Sequence, residues 1–210
     1  FYRSPSPIYL TCIDLPAGSG TESDVSNGTE FAYLVHTSGT TGSPKPVFVP
    51  VASVLPNLFD IARELEICAG VHLLLSSPLT FDPSMIDVLT TLLTGATLVV
   101  VPRCDKLRSD LYQEVFEDNQ VNVLQCTPSL LRSIFANIDG VPQSLRKCAV
   151  GGEKCCARTK KILRTLLNTG RIDVYHLYGL TEMSVWQSML KVKELINLSS
   201  HFLLCSSVFA

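Results

Sequence analysis

Short apolar runs alternate with amphipathic segments along most of this chain. The run at residues 31–35 is continuous, which is typical of a strand covered on both faces. Further strands are predicted at residues 71–75, 96–101, 121–127, 146–150 and 172–177, and the last of these ends the pattern. Helices are predicted at residues 82–95, 107–118, 128–138 and 157–167. Strands that alternate with helices in this way indicate an α/β fold, a mostly parallel sheet with flanking helices.

The helix that begins near Asp82 carries the clearest boundary signals. Asp82 stands where an N-cap side chain is favoured, Pro83 follows in the first turn, and Gly95 closes the segment. Residues 1–30 are rich in Ser, Pro, Gly and Thr, so we expect a linker or irregular segment there. Residues 31–190 form the predicted α/β body, and residues 191–210 are an atypical tail without a clear partner element.

Composition excludes several classes of protein. Hydrophobic residues make up 46% of the 210 positions, which is enough for a packed core, and the net charge of −2 argues against nucleic acid as a partner. No apolar run reaches the roughly 20 residues that a membrane span needs. The eight cysteines include no C-x-x-C pair, so zinc and thioredoxin-like sites lack support. Cys126 and Cys148 lie in apolar runs and are expected to be buried free thiols, which suits a cytoplasmic protein.

A polar, glycine-rich segment directly follows the first apolar run. It consists of Thr37, Ser38, Gly39, Thr40, Thr41, Gly42, Ser43, Pro44 and Lys45. Glycines allow backbone N–H groups to approach an anion closely, hydroxyls add donors, and a lysine supplies a mobile positive charge. A Walker A loop has Gly before its Lys, and Pro44 stands there instead. The pattern predicts a phosphate-binding loop of another kind, with an ordinary polar turn as the alternative.

The segment from Tyr33 to Lys45 resembles the phosphate loop of the AMP-forming adenylating enzymes, which include acyl-CoA synthetases, peptide-synthetase adenylation domains and luciferases. Three further segments resemble that family in the same order. They are Gln125-Cys126-Thr127-Pro128-Ser129-Leu130-Leu131, Gly151-Gly152-Glu153 and Tyr178-Gly179-Leu180-Thr181-Glu182. The resemblance identifies residues 31–190 as a partial AMP-binding (adenylation) domain, the N-terminal part of an adenylate-forming enzyme.

The resemblance implies ATP as the nucleotide and assigns its contacts. Residues 37–45 would hold the β- and γ-phosphates, and Gly151, Gly152 and Glu153 would lie along the adenine. Tyr178 would stack on the base through its flat apolar face. As alternatives, Tyr178 could be an aromatic core residue at a strand end, and the two glycines could form an ordinary turn.

The resemblance also implies the reaction. Thr181 would bond the α-phosphate and Glu182 would hold Mg²⁺, which prefers oxygen ligands. Attack by a substrate carboxylate on the α-phosphorus would then give acyl-AMP and pyrophosphate. Glu182 could instead be a carboxylate favoured by a helix N-terminus. Two residues depart from the family pattern: His176 stands where Asn is frequent and is expected to be structural, and Leu180 replaces the commoner Pro.

Asp82 has two interpretations that the sequence leaves open. The segment Leu79-Thr80-Phe81-Asp82-Pro83-Ser84 resembles that of domains in which an Asp pairs with the ammonium group of an amino acid, whereas Asp before Pro also suits an N-cap. Residues 36–186 most resemble the β-alanine-activating members related to aminoadipate-semialdehyde dehydrogenase. The small-molecule substrate expected from this is a carboxylate or amino acid such as β-alanine, with coenzyme A or a carrier domain as thiol acceptor.

The family's ribose-binding T-G-D segment and C-terminal lid do not follow Glu182. We therefore expect a chain that is incomplete as an enzyme and inactive alone. The alternatives are a catalytically inactive nucleotide-binding or interaction fragment and a fragment of a fatty acyl-CoA synthetase.

Overall fold

The computed structural model describes residues 8–11, 30–38, 44–101 and 109–192. In this part of the chain, seven strands form one sheet and two more form a separate hairpin. The strands of the sheet are β1 (Ile8–Thr11), β4 (His72–Leu75), β5 (Thr97–Val100), β6 (Val123–Cys126), β7 (Lys147–Gly151), β8 (Asp173–Tyr178) and β9 (Ser188–Lys191). Their order is β1-β5-β4-β6-β7-β8-β9, with five parallel strands in the middle and an antiparallel strand at each edge. The predicted mostly parallel α/β fold is confirmed.

Helices pack on both faces of this sheet. They are α1 (Val51–Glu64), α2 (Pro83–Thr94), α3 (Tyr112–Asp118), α4 (Pro128–Ile134) and α5 (Ala157–Asn168), with short 3₁₀ turns at Ser109–Leu111 and Thr181–Met183. One core contains side chains of α1 and α2, and the other contains side chains of α3, α4 and α5. Successive residues of β6 and β7 point to opposite cores, so both strands are buried throughout. This is why the strands appear in the sequence as continuous apolar runs.

The predicted helix signals around α2 and α4 act as expected at most positions. Gly95 ends α2 in the left-handed conformation, with φ of 68°. Thr127 caps α4, and its hydroxyl accepts a hydrogen bond from the N–H of Leu130 at 3.3 Å. Cys126 and Cys148 are buried free thiols, as predicted, and burial raises the pKa of Cys148 to about 12. Within the described parts of the chain, no helix combines the length and the apolar character needed to cross a bilayer.

The hairpin of β2 (Phe31–Ser38) and β3 (Pro44–Pro50) corrects the prediction for residues 31–35. That run is not a strand of the main sheet, and it is covered on one face only. Val35 and Val49 are buried, whereas Phe31, Leu34 and Phe48 are exposed by 53%, 43% and 55%. The rings of Phe31 and Phe48 lie 5.3 Å apart on the exposed face. A continuous apolar run predicted burial on both sides, because sequence alone does not show that a two-stranded ribbon lies over the sheet.

Two strands at the sheet edges were not predicted. Residues 1–30 were expected to be irregular, but Ile8–Thr11 forms β1 and pairs antiparallel with β5. The strand β8 was expected to be the last, but β9 follows and pairs antiparallel with it. Both additions are only four residues long, and their pairing depends on a partner strand that short-range patterns do not reveal. The other residues of 1–29, and residues 193–210, lie outside the described residues.

Candidate functional site

The residues singled out by the motifs meet at one edge of the sheet. Asp82 follows β4, the Gln125–Thr127 segment ends β6, Gly152 follows β7, and Tyr178 ends β8. These strands are parallel, so their carboxyl ends lie side by side. Crevices at the carboxyl ends of parallel strands are the usual ligand sites of open α/β sheets.

The predicted phosphate loop connects the two strands of the hairpin. Gly39, Thr40, Thr41, Gly42 and Ser43 lie outside the described residues, and the strands on either side define where the loop begins and ends. Thr37 pairs directly with Lys45, and Ser38 pairs with Pro44. Lys45 is exposed, and β3 lies beside the Thr181–Met183 turn. The hairpin therefore brings the lysine to the same side of the molecule as the Tyr178–Glu182 motif.

The two glycines after β7 allow close packing at the site. A Cβ on Gly151 would lie 2.5 Å from the carbonyl oxygen of Leu177, so a larger residue would push β7 and β8 apart. Gly152 has φ of 81°, which disfavours other residues. A Cβ there would lie 3.7 Å from the ring of Phe81 and 3.9 Å from the methyl group of Thr127. The glycine pair thus forms a flat backbone surface at the carboxyl end of the sheet.

The side chain of Glu153, which the resemblance placed along the adenine, bonds to α4, and its place at the adenine stays a prediction. Its carboxylate accepts hydrogen bonds from the backbone N–H of Ser129 at 3.1 Å and from the Ser129 hydroxyl at 2.5 Å. Ser129 lies in the first turn of α4, whose free N–H groups favour a negative charge. Glu153 therefore fastens the glycine pair to α4.

The Tyr178–Glu182 motif forms a tight turn after β8. Tyr178 is half-exposed at the strand end. A Cβ on Gly179 would overlap the carbonyl oxygen of Val185, so the turn can close only around a glycine. Ser184 and Val185 have φ of 60° and 79°, which is unusual for serine and strongly disfavoured for a β-branched residue. Local strain of this kind is found where a structure holds functional groups in place.

Asp82 is buried, and one oxygen of its carboxylate has no hydrogen-bond partner. Its exposed fraction is 3%, and Oδ2 is the unpartnered atom. Burial raises the pKa of Asp82, a hydrogen bond from the Thr181 side chain opposes that shift, and the nearby charge of Glu182 adds to it. Burial also raises the pKa of Tyr33, with a further contribution from Asp82. A positively charged group at this point would meet an unsatisfied carboxylate oxygen.

The N-cap interpretation of Asp82 is wrong in its physical basis. Asp82 occupies the position before α2, but its side chain makes no capping hydrogen bond. Its φ and ψ of −54° and −30° are already helical, whereas a capping side chain requires an extended backbone. Only its carbonyl takes part in the helix, accepting from the N–H of Met85 at 2.9 Å.

His176 lies in β8, opposite Val150 and Leu190. Burial lowers its pKa to about 4, so the imidazole is neutral near pH 7. The expectation of a structural rather than a catalytic histidine remains a prediction.

A buried polar network beneath Asp82 was not identified from the sequence. It joins Gln125 of β6 to Asp87 of α2 and to Trp186, which follows the Thr181–Met183 turn. Asn57 of α1 extends it through the carbonyl of Trp186. A glutamine inside the otherwise apolar Val123–Cys126 strand is the one signal that could have revealed it.

Among the described residues, no three His, Cys, Asp or Glu side chains cluster in a way that could hold a metal ion. Glu182 provides a single exposed carboxylate. This is compatible with Mg²⁺, which proteins often bind through one or two carboxylates together with substrate phosphates and water.

The family described as AMP-binding enzyme matches residues 11–200. Two curated relatives, both described as beta-alanine-activating enzyme, come from Danio rerio and Mus musculus. The first is 37% identical over 86% of this chain, and the second is 41% identical over 78%. The chain spans 16% and 15% of their lengths.

A solved structure with the same fold is the Vibrio cholerae adenylation domain AlmE in complex with glycyl-adenosine-5'-phosphate. Its TM-score is 0.69 and its sequence identity is 25%, and the match covers 80% of this chain and 32% of that one. The family match spans most of the chain, the relatives exceed 30% identity, and the shared fold places the motifs at one edge of the sheet. The chain belongs to the AMP-binding enzyme family.

Proposed function

We propose that this chain forms the nucleotide- and substrate-binding part of a domain that uses ATP to activate the carboxylate of an amino acid as an acyl-AMP. The observation that carries the proposal is the buried carboxylate of Asp82. One oxygen of this carboxylate has no hydrogen-bond partner. The side chain of Thr181, which belongs to the proposed nucleotide motif, lies beside the same carboxylate. A buried charge without a counter-charge is costly, so it indicates a ligand that supplies one.

The ligand group that best fits Asp82 is an ammonium ion. Its N–H groups can donate to the unpartnered oxygen, and its positive charge offsets the repulsion between Asp82 and Glu182. An amino acid with a short chain between ammonium and carboxylate would reach from Asp82 toward Thr181. The relatives described as beta-alanine-activating enzymes support β-alanine as the substrate. A simple fatty acid would leave Asp82 unpaired, so the fatty acyl alternative is disfavoured.

The nucleotide would lie along the carboxyl edge of the sheet. Residues 37–45 would hold the β- and γ-phosphates, with Lys45 supplying the positive charge. The adenine would rest against the surface of Gly151 and Gly152, with Tyr178 stacked on its free side. Glu153 would act indirectly, by holding the glycine pair against α4.

The chemistry would be a displacement at phosphorus. A carboxylate oxygen of the substrate forms a bond to the α-phosphorus, the bond to the bridging oxygen breaks, and pyrophosphate leaves with the electron pair. Thr181 would bond the α-phosphate, its hydroxyl turning from Asp82 once the substrate ammonium has paired with that carboxylate. Glu182 would hold Mg²⁺, which neutralises phosphate charge when bound. Asp82 and Thr181 together would fix the two reacting groups, which is how positioning lowers a barrier.

Coenzyme A or a carrier domain is the proposed thiol acceptor of the acyl group. One related structure is of a four domain nonribosomal peptide synthetase bound to AMP and glycine, which supports a carrier as one possibility. The free cysteines of the described residues favour a reducing compartment, and we propose the cytoplasm.

A matched pair of ligands tests this proposal. Stable sulfamoyl analogues of β-alanyl-adenylate and propionyl-adenylate differ in the ammonium group alone. Calorimetry should show tighter binding of the β-alanyl analogue by about ten- to a hundredfold, the range for a hydrogen bond to a charged group. Equal binding would contradict the amine site, and binding of neither analogue would contradict the adenylating function.

A further inference from the structure

Gln125 is buried, and its side-chain amide is fully used. The amide N–H₂ donates to Oδ1 of Asp87 at 2.9 Å and to the carbonyl oxygen of Pro83 at 3.2 Å. The amide oxygen accepts from the indole N–H of Trp186 at 3.1 Å. An indole N–H can only donate, so the orientation of the amide is determined. The exposed fraction of Gln125 is 2%.

These three bonds hold two segments that carry the proposed site. Pro83 and Asp87 belong to α2, and Pro83 directly follows Asp82. Trp186 lies in the connection between the Thr181–Met183 turn and β9. Gln125 therefore connects the backbone next to Asp82 with the segment that carries Thr181. The side-chain contact between Asp82 and Thr181 depends on the relative position of those segments.

The network is also anchored on its outer side. The Ser76 hydroxyl donates to the backbone carbonyl of Gln125, and the Asn57 amide donates to the carbonyl of Trp186. Ser76, which directly follows β4, and Asn57 of α1 thereby hold the two ends of the network. Because these anchors are buried, a change in the Gln125 amide would be transmitted to the segments rather than absorbed by water.

We propose that Gln125 is a positioning residue that couples the amine site at Asp82 to the α-phosphate site at Thr181. This rests on the proposed function. Glutamine is required because the position needs two donors toward α2 and one acceptor toward Trp186. A glutamate would keep the acceptor, lose both donors and face the carboxylate of Asp87. An apolar residue would leave the indole N–H and Asp87 without this contact.

The test uses Gln125→Glu alone and together with Asp87→Asn. In the double variant the new asparagine can donate to the new glutamate, so the bond between residues 87 and 125 forms with donor and acceptor exchanged, whereas the bond to the Pro83 carbonyl stays lost. The ligands are AMP and the β-alanyl and propionyl sulfamoyl analogues, with affinities measured well below the unfolding temperature. Gln125→Met, which has a similar volume and no charge, serves as a second variant if the first does not fold.

We expect Gln125→Glu to reduce the preference for the β-alanyl over the propionyl analogue by about tenfold or more, and the double variant to recover part of it, because one of the two bonds to α2 is restored. A lower unfolding temperature with an unchanged preference would overturn the proposal, since it would show a purely structural role. Failure of the double variant to recover would also contradict it.

If the wild-type chain shows no preference, the amine site fails, but the effect of Gln125 on the position of the Thr181 turn can still be tested. The affinity for AMP must then fall in Gln125→Glu and recover in the double variant, because Trp186 fixes the Thr181 turn. An AMP affinity that is the same in all variants would overturn the role of Gln125.

Discussion

The Thr181 side chain lies beside the carboxylate of Asp82, so the turn after β8 meets the start of α2. The contact brings together residues from two separate motifs at the carboxyl edge of the sheet. The other carboxylate oxygen, Oδ2, remains without a hydrogen-bond partner. The proposed amine-binding group and the proposed phosphate-binding group thus lie side by side in this structure.

Asp82→Asn should raise the unfolding free energy of the chain at neutral pH and lower its affinity for the β-alanyl analogue. The folded pKa of Asp82 lies above its ordinary value, so the fold disfavours the charged form. Stability from this group is greatest below the unfolded pKa and is lost as the pH rises through the folded pKa. The variant should lack that loss. Urea unfolding of both proteins between about pH 3 and about pH 8 measures the difference.

The matched control is Asp118→Asn, because Asp118 is exposed at the end of α3. It should change neither the pH dependence nor ligand affinity. A lower stability of Asp82→Asn at neutral pH would show that the carboxylate stabilises the fold, contrary to its unpartnered oxygen.

Lys45→Ala should weaken ATP binding by about ten- to a hundredfold, the range expected for one lost charge-assisted contact. Lys45 is exposed at the end of the hairpin, so the unfolding free energy should be nearly unchanged. Lys161→Ala removes the same charge from the exposed side of α5 and should leave ATP affinity intact. Calorimetry on the three proteins decides, and equal affinities would remove Lys45 from the phosphate site.

His176→Asn should make the chain less sensitive to acid. Burial lowers the folded pKa of His176 to about 4, below its unfolded value of about 6.5. The unfolded chain therefore takes up a proton that the fold refuses, and stability falls as the pH drops from about 6.5 toward 4, by up to about 1.4 kcal/mol per pH unit. Urea unfolding at several pH values across this range should show that the unfolding free energy falls more with decreasing pH in the wild type than in the variant. The same pH dependence in both proteins would show that the fold does not lower the pKa of His176.

Gly179→Ala should destabilise the chain more than Gly170→Ala does. A Cβ at position 179 would overlap the carbonyl oxygen of Val185, whereas position 170 has open space but φ of 66°. The second change is expected to cost about 1 kcal/mol through its backbone conformation alone. Any excess in the first measures the steric overlap. Equal losses in urea unfolding would mean that the turn after Tyr178 yields easily.

The parallel strands of the sheet could be predicted because each is marked by residues that are close together in the sequence. The parallel strands β4 to β8 are short apolar runs followed by helices with recognisable starts, such as Thr127-Pro128 before α4. The edge strands β1 and β9 were not predicted, because such short strands form only by pairing with another strand, which local sequence patterns do not show. The hairpin was misread for a related reason: its apolar run predicted two buried faces, but Phe31 and Phe48 are exposed.

Of the candidate site, too, the sequence indicated some residues and missed others. Family motifs indicated Lys45, Gly152 and Tyr178, whose roles remain predictions. The sequence could not decide whether Asp82 caps α2, because a cap requires an extended backbone and the actual φ and ψ are helical. The role of Gln125 was also hidden, since its hydrogen bonds reach α2 and Trp186, both remote along the chain.

The contact between Glu153 and Ser129 has a consequence for where an anion can settle. In the first turn of α4, the N–H of Leu130 donates to the Thr127 hydroxyl and the N–H of Ser129 donates to the Glu153 carboxylate, so neither is available to a phosphate. The negative charge of Glu153 would repel a triphosphate at this position. Displacing Glu153 would also break its contact between the glycine pair and α4. Under the proposed function, the nucleotide's triphosphate is therefore expected at residues 37–45 and Thr181 rather than at the start of α4.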